Sequence, residues 1–276
     1  KRDLVQSLLT EIANIHYEIG DYTAALRYFE EKLEIVIEAE NLKEEIETLL
    51  GISHIHLLLH NYTSALKYLK RALSLTFEVG DVESGRVALL GIGTIYETLG
   101  MYDSALRCFR EMARIDHDLK KYESEGEEFL RIAKIYAKTG KHSAALLTFM
   151  EALKIMKGVG NREGEAMALQ GAGNMYFALE EYENALVCYE ETLTLYQELG
   201  NQAQEGDILR RIGETYAKLK NYMSAIKYLE DALESKRKIK AQENEKDIIN
   251  TIKTLKALSK MYGISPKYFY DNLIKN

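Results

Sequence analysis

Leu89-Leu90-Gly91-Ile92-Gly93-Thr94-Ile95-Tyr96, followed by Gly100, Tyr102, Ala105, Leu106, Phe109 and Met112, is the stretch whose reading decides the fold. Leu89, Ile92, Gly93 and Tyr96 are spaced three, one and three residues apart, one face of an α-helix. Ala105, Phe109 and Met112 repeat that spacing on a second helix. Gly100 between them marks the end of the first. The stretch therefore reads as two helices folded back on each other, an αα-hairpin.

Sliding the chain along itself by 40 residues shows that this hairpin recurs. One column reads Ala25, Ala65, Ala105, Ala145, Ala185, Ala225. The next is apolar: Leu26, Leu66, Leu106, Leu146, Leu186, Ile226. A third is Tyr22, Tyr62, Tyr102, His142, Tyr182, Tyr222. A fourth is small: Ala13, Ser53, Gly93, Ala133, Gly173, Gly213. A fifth holds rings: His16, His56, Tyr96, Tyr136, Tyr176, Tyr216. The six units align without insertion or deletion, so an internal repeat is the organising fact. A small residue lets the two helices approach, and a ring fills the space beside it. One hairpin of this size cannot bury its apolar face, so neighbours must stack.

Local signals set the expected boundaries. Gly20 and Gly140 end first helices as Gly100 does. Thr23, Thr63, Asp103 and Ser143 are placed to cap second helices. Gly80, Gly160 and Gly200, with Asp81, Asn161 and Asn201 after them, stop one unit and start the next. The pairs are expected near residues 3–40, 43–80, 82–120, 122–160, 162–200 and 202–240, with second helices running long. A decayed seventh unit is expected over 242–276, all within one repeat domain over 1–276. There Tyr262, Ser265, Phe269 and Leu273 keep the pattern, while Lys253 and Lys256 replace the small residue and the ring. Such polar replacement suits a last repeat, and Ser265-Pro266 reads as a helix start.

Composition agrees with an all-α chain. The 276 residues are 46% hydrophobic and 29% charged, with one proline and no tryptophan, which is foldable and unlike disorder. A net charge of −7 argues against nucleic acid or an anionic membrane as the bulk electrostatic partner. No apolar run is long enough to insert in a membrane. Cys108 and Cys188 lie two repeats apart at one repeat position, too far for a disulfide, which points to reduced thiols and an intracellular, cytoplasmic setting. The chain begins Lys1-Arg2-Asp3 without methionine or signal peptide, as a segment of a longer protein would.

The order Leu89-x2-Ile92-Gly93-x2-Tyr96, then Ala105-x3-Phe109, resembles the tetratricopeptide repeat, and the match recurs in six units. Two departures stand out. The usual tryptophan is replaced by Leu9, Leu49, Leu89, Phe129, Leu169 and Leu209. The terminal proline is missing, and the period is 40 where 34 is usual. The longer period, with Val159-Gly160-Asn161-Arg162-Glu163-Gly164-Glu165 and Leu199-Gly200-Asn201, is similar to the 40-residue group that includes Pins/LGN-like, rapsyn-like and Rap-like proteins. The resemblance implies an all-α solenoid, a right-handed superhelix of about seven hairpins. It also implies that first helices line a concave groove binding a protein or peptide.

On those helices the positions beside the packing face vary while the packing columns do not, so they are free to set specificity. They are Asn14 and Tyr17; His54 and Leu57; Leu90, Thr94 and Glu97; Arg131, Lys134 and Ala137; Gln170, Asn174 and Phe177; Arg210, Glu214 and Ala217. Thr10, Leu50 and Leu130 lie on the same rows. Amides suit an extended peptide, and Arg131, Lys134 and Arg210 suit carboxylates. The expected partner segment carries apolar residues at one end and acidic residues at the other.

His54, His56 and His60 offer zinc spacing, but His56 occupies the ring column and no cysteine or carboxylate completes a set, so no metal is expected. Gly91-x-Gly93 and Gly171-x-Gly173 lie inside helices and read as packing glycines. No phosphate loop or hydrolase elbow occurs, so neither cofactor nor enzyme activity is expected. The readings left are a scaffold or adaptor, a peptide-gated sensor, or a rigid spacer binding through its edges. The first hairpin's edge at Leu4, Val5 and Leu8 is expected to pack on an upstream repeat of a longer chain or, in a homo-oligomer, on a second copy.

Overall fold

A computed structural model describes residues 2–238 and 245–261. Among them thirteen helices follow one another: α1 (Arg2–Glu18), α2 (Tyr22–Glu38), α3 (Leu42–Leu58), α4 (Tyr62–Val79), α5 (Val82–Thr98), α6 (Tyr102–Asp118), α7 (Tyr122–Lys138), α8 (His142–Val159), α9 (Arg162–Ala178), α10 (Tyr182–Glu198), α11 (Gln202–Lys218), α12 (Tyr222–Lys238) and α13 (Glu245–Met261). Odd and even helices are the expected first and second helices. Second helices do not run long: α2, α6 and α10 have 17 residues, as every first helix has, and α4 and α8 have 18. The extra length of the repeat is shared by both helices, so helix starts recur at an even spacing from α1 to α12.

The links explain that regularity. Gly20 closes α1 with φ 80°. Its N–H bonds to the Tyr17 carbonyl at 3.0 Å, and the Asp21 N–H to that of His16 at 2.8 Å, the paired reverse bonds of a Schellman end. The same left-handed residue appears at every described link. Six links use glycine, and Glu40, His60, Lys120, Glu180 and Lys220 hold the conformation without it.

The second helices are not capped where expected. Asp21, Asn61 and Asn221, two residues before the positions of Thr23 and Thr63, accept from Ala24, Ser64 and Ser224 N–H groups at 3.1, 3.5 and 3.2 Å. Asp103 and Ser143 lie inside α6 and α8, whose cap positions, Met101 and Lys141, make no side-chain cap bond. The reverse turn consumes three residues, which moves each helix start forward of the apparent signal. Asn41, Asp81, Asn161 and Asn201 do cap the first helices, with N···O distances of 2.7–3.3 Å.

The chain forms two compact units, residues 1–121 and 122–276. In the first, Ala25, Ala65 and Ala105 are completely buried, as are Leu49, Ile52 and Phe109. Phe109 fits because Gly93 has no side chain: a Cβ there would lie 2.8 Å from the ring. The ring column stacks on the following helix, His16 on Tyr28 at 5.4 Å and His56 on Tyr68 at 5.5 Å between centroids. Buried charges tie helices together within the unit. Asp116 (0% exposed) faces the Arg86 guanidinium at 2.5 Å (Oδ1–Nε), and the better-aligned bond is Nη2 to Oδ2 at 2.9 Å. Lys32 and Glu44 pair at 2.7 Å.

The second unit repeats the scheme. Ala133, Ala145, Phe149, Ala185, Tyr189, Ile208 and Ile212 share one core cluster. The seventh first helix, α13, packs through Ile248, Ile252 and Leu255 against Ala225, Ile226 and Leu229. Its Lys256, in the ring column, pairs with Glu230 at 2.6 Å, so the polar residue meets a surface charge in place of a core. Tyr262, Ser265, Pro266, Phe269 and Leu273 lie outside the described residues.

Candidate functional site

Within residues 122–276 the first helices α7, α9 and α11 enclose a cavity of about 560 Å³. Lys134 and Ala137 come from α7, and Glu163, Met167, Gln170, Gly171, Asn174 and Met175 from α9. Asn201 and Gln204 come from the start of α11, while Phe149 and Tyr196 reach in from second helices. Such a composition is a polar mouth over an apolar floor: four amides, one lysine and one glutamate above Phe149, Met167 and Met175. The size falls within the range of ordinary ligand pockets.

Two glycines of α9 make the floor possible. A Cβ on Gly171 would lie no more than 2.5 Å from three carbons of the Phe149 ring. The ring therefore rests directly on helix backbone. A Cβ on Gly173 would lie 2.7 Å from Tyr189 Cε1. Through that gap the Tyr189 hydroxyl reaches Asn174 Oδ1 at 2.9 Å, and Tyr196 Oη reaches Gln170 Oε1 at 3.0 Å. Burial raises the pKa of both phenols, and Glu163 raises that of Tyr196 further.

The expected groove residues divide by unit. Lys134, Gln170 and Asn174 converge on this cavity. Arg131 is exposed and pairs with Glu128 at 3.6 Å. Phe177 packs edge-to-face on Tyr182, 5.4 Å between centroids. Arg210 is ion-paired to Glu214, which also meets Arg211 at 3.3 Å. A carboxylate arriving at Arg210 must compete with that internal partner. Arg210 and Glu214 border a smaller cavity of about 110 Å³ with Leu229, Asp247, Ile248 and Thr251. Leu130, on the same row as Gln170 in the repeat, is buried in the core.

In the first unit Tyr17 and His54 join, Oη to Nε2 at 2.9 Å. Asn14 and Thr94 are exposed, and Leu57, Leu90 and Glu97 are half-buried. His60 bonds the Tyr62 hydroxyl at 3.1 Å and His56 stacks on Tyr68, so the three histidines face separate partners. Among the described residues no three His, Cys, Asp or Glu side chains converge as a metal site. Both thiols are free. Burial pushes Cys188 up to about 11 and raises Cys108 as well. No described helix is long and apolar enough to cross a membrane.

Glu163, Met167, Asn201, Gln204, Tyr189 and Tyr196 were not among the expected site residues. For the tyrosines a signal exists. Tyr189 is the one hydroxyl in the column Phe29, Leu69, Phe109, Phe149, Tyr189, Leu229. Tyr196 stands in the column Val36, Thr76, Asp116, Met156, Tyr196, Lys236. A hydroxyl in a core column needs a partner, and its neighbours were the place to look.

Stacked αα-hairpins with a packed alanine column and a variable first-helix face define a helical repeat scaffold. The chain belongs to the tetratricopeptide repeat family, whose sequence profile matches residues 4–76, 44–118, 127–198 and 164–238. Repeats of this family generally serve protein–protein interaction and are generally not enzymes. Among solved structures the chain is similar to a signal transduction ATPase with numerous domains (STAND) from Pyrococcus horikoshii, which carries a tetratricopeptide repeat sensor. The TM-score is 0.73 at 20% identity, over 99% of this chain and 43% of that protein. It therefore spans less than half the length of that relative. It is also similar to BtubC from P. vanneervenii (TM-score 0.64, 13% identity, 88% and 94% of the two chains). A third likeness is to YrrB, described as a TPR protein with an unusual peptide-binding site (0.55, 19%, 80% and 97%). At these identities the likeness is one of fold. No curated protein matches the chain.

Proposed function

We propose that the chain is a non-enzymatic adaptor that holds an extended segment of a partner protein on its first-helix face, seated in the cavity between α7, α9 and α11. The observation that carries this reading is the convergence of Lys134, Gln170 and Asn174, three variable positions from two repeats, on one pocket of about 560 Å³. Amides pair with a peptide backbone, and the apolar floor takes alternate side chains. Lys134 and Glu163 carry opposite charges, so one carboxylate on the partner is accommodated at the lysine side.

A displayed library of random peptides, panned on the full chain, tests the reading. Enriched peptides should lose affinity for the Gln170→Ala/Asn174→Ala and Asn174→Ala/Arg210→Glu variants, and acidic ones for Lys134→Glu. Peptides that bind these variants as they bind the parent protein place recognition elsewhere.

One surface favours a second contact. Leu4, Leu8, Ile12 and Ile15 form an apolar stripe along α1, continued by Ile19 just after it, with Ile12 and Ile15 36% and 58% exposed. Their equivalents Ile52, Ile55, Ile92 and Ile95 are at most 4% exposed. Self-association through this edge predicts a sedimentation coefficient that rises with concentration and that Ile12→Glu/Ile15→Glu abolishes.

A further inference from the structure

Gln170 and Asn174 stand four residues apart on one face of α9, and each is held from below. Tyr196 Oη donates to Gln170 Oε1, and Tyr189 Oη donates to Asn174 Oδ1. Both tyrosines belong to α10 and are buried, Tyr189 at 0% exposed and Tyr196 at 3%. A buried hydroxyl must place its proton on an acceptor, because an unsatisfied buried donor is costly. The amide carbonyl oxygen is that acceptor in both pairs. Turning either amide over would set its N–H2 against the hydroxyl and strand the phenolic proton. With burial raising both phenol pKa values, these hydroxyls stay donors across the whole working pH range. Each carbonyl oxygen is therefore committed inward, and each N–H2 is left for the cavity side.

Building on the groove reading above, we infer that Tyr189 and Tyr196 are positioning residues that lock Asn174 and Gln170 as outward donors, so that the seat selects a ligand by its carbonyl oxygens. The ligand class is an extended, uncharged stretch of peptide backbone. Side chains at i and i+4 on a helix are about 5–6 Å apart. Carbonyls on one side of an extended strand recur every second residue, about 6.6 Å. The two donors thus match successive same-side carbonyls of one strand. Phe149, Met167 and Met175 take apolar side chains from the strand's other contacts.

The test uses the full chain and peptides enriched from the random library, measured by fluorescence anisotropy. Asn174→Asp and Gln170→Glu are isosteric, still accept from the tyrosines, and turn each outward donor into an acceptor. Each should weaken binding at least about tenfold, a lost hydrogen bond plus repulsion between acceptors. Tyr189→Phe and Tyr196→Phe free the amides to turn and should weaken binding about three- to tenfold. Adding Tyr189→Phe to Asn174→Asp should cost nothing further in affinity, because that donor is already gone. A purely structural tyrosine would lower stability in thermal unfolding and leave the folded protein's affinity unchanged, and that result overturns the locking role. Asn174→Asp binding as well as the parent, with Asn174→Ala weakened, overturns acceptor selection and leaves the groove reading standing. If alanine at both amides changes nothing, the groove reading and this inference fall together.

Discussion

Gly51 and Gly171 occupy one repeat position on α3 and α9, and the structure assigns their alanine variants opposite signs. In a helix interior, glycine to alanine gains about 1 kcal/mol from backbone entropy. At Gly51 the new methyl would lie 3.6 Å from two Phe29 ring carbons, ordinary van der Waals contact. The gain should survive, giving about 0.5–1 kcal/mol of added stability. At Gly171 three Phe149 ring carbons sit no more than 2.5 Å from the methyl, and the ring is 3% exposed. It must move by about 1 Å to reach normal separation, and overpacking of this kind costs about 1–3 kcal/mol. After the entropic gain the net loss is about 1 kcal/mol, so the two variants should differ by about 2 kcal/mol. Urea unfolding followed by circular dichroism measures both, with m-values compared to confirm that cooperativity is unchanged. Equal midpoints for Gly51→Ala and Gly171→Ala would show that Phe149 relaxes freely, and the argument that Gly171 shapes the cavity floor would fail.

Other outcomes follow from the same contacts. Asp116→Ala strips Arg86 of its buried partner and should cost about 3–5 kcal/mol, while replacing both by leucine should cost far less; a small loss for Asp116→Ala alone would show that water already solvates the pair. Met101→Asp supplies the cap that α6 lacks and should raise stability by about 1 kcal/mol, read from the urea midpoint. Tyr189 has its folded pKa raised above the ordinary 10 by burial. Its contribution to stability is therefore full below pH 10 and should fall by up to about 1.4 kcal/mol per pH unit above it, as the unfolded chain ionises first. Tyr189→Phe should make the alkaline slope shallower, the burial-raised Tyr196 keeping part of it. Cys188, pushed up to about 11, should react with a thiol reagent at pH 8 far more slowly than the unfolded chain does.

The repeat itself was fully legible in the sequence, because packing imposes one residue class on each column: alanine at position 105 and its equivalents, small residues at 93, rings at 96. Link glycines at 20, 100 and 140 were legible for the same reason. Asp81, Asn161 and Asn201 were legible as starts of first helices, which they cap, but the caps of the second helices were not. Thr23 and Ser143 are good capping residues, but the three-residue reverse turn starts the helix before them, and Met101 shows that a strong helix tolerates a poor cap. Helix length was misread because glycine marks an end and says nothing of how added residues divide between two helices. The candidate site was partly legible. The variable rows include Lys134, Gln170 and Asn174, which line the cavity, yet one row also included Leu130, which the core swallows. Tyr189 and Tyr196 escaped notice because they belong to packing columns, and their bonds to Asn174 and Gln170 are made by the hydroxyl at the far end of the ring.

The even spacing of helix starts has a genetic consequence. Equivalent links share one backbone turn, so recombination between any two of them, in frame, removes or duplicates whole hairpins and regenerates an intact turn at the seam. Chain length can then change by complete modules while the remaining columns keep their register. A binding face built this way is extended or shortened by copying, and afterwards diversified at the first-helix positions that packing leaves alone.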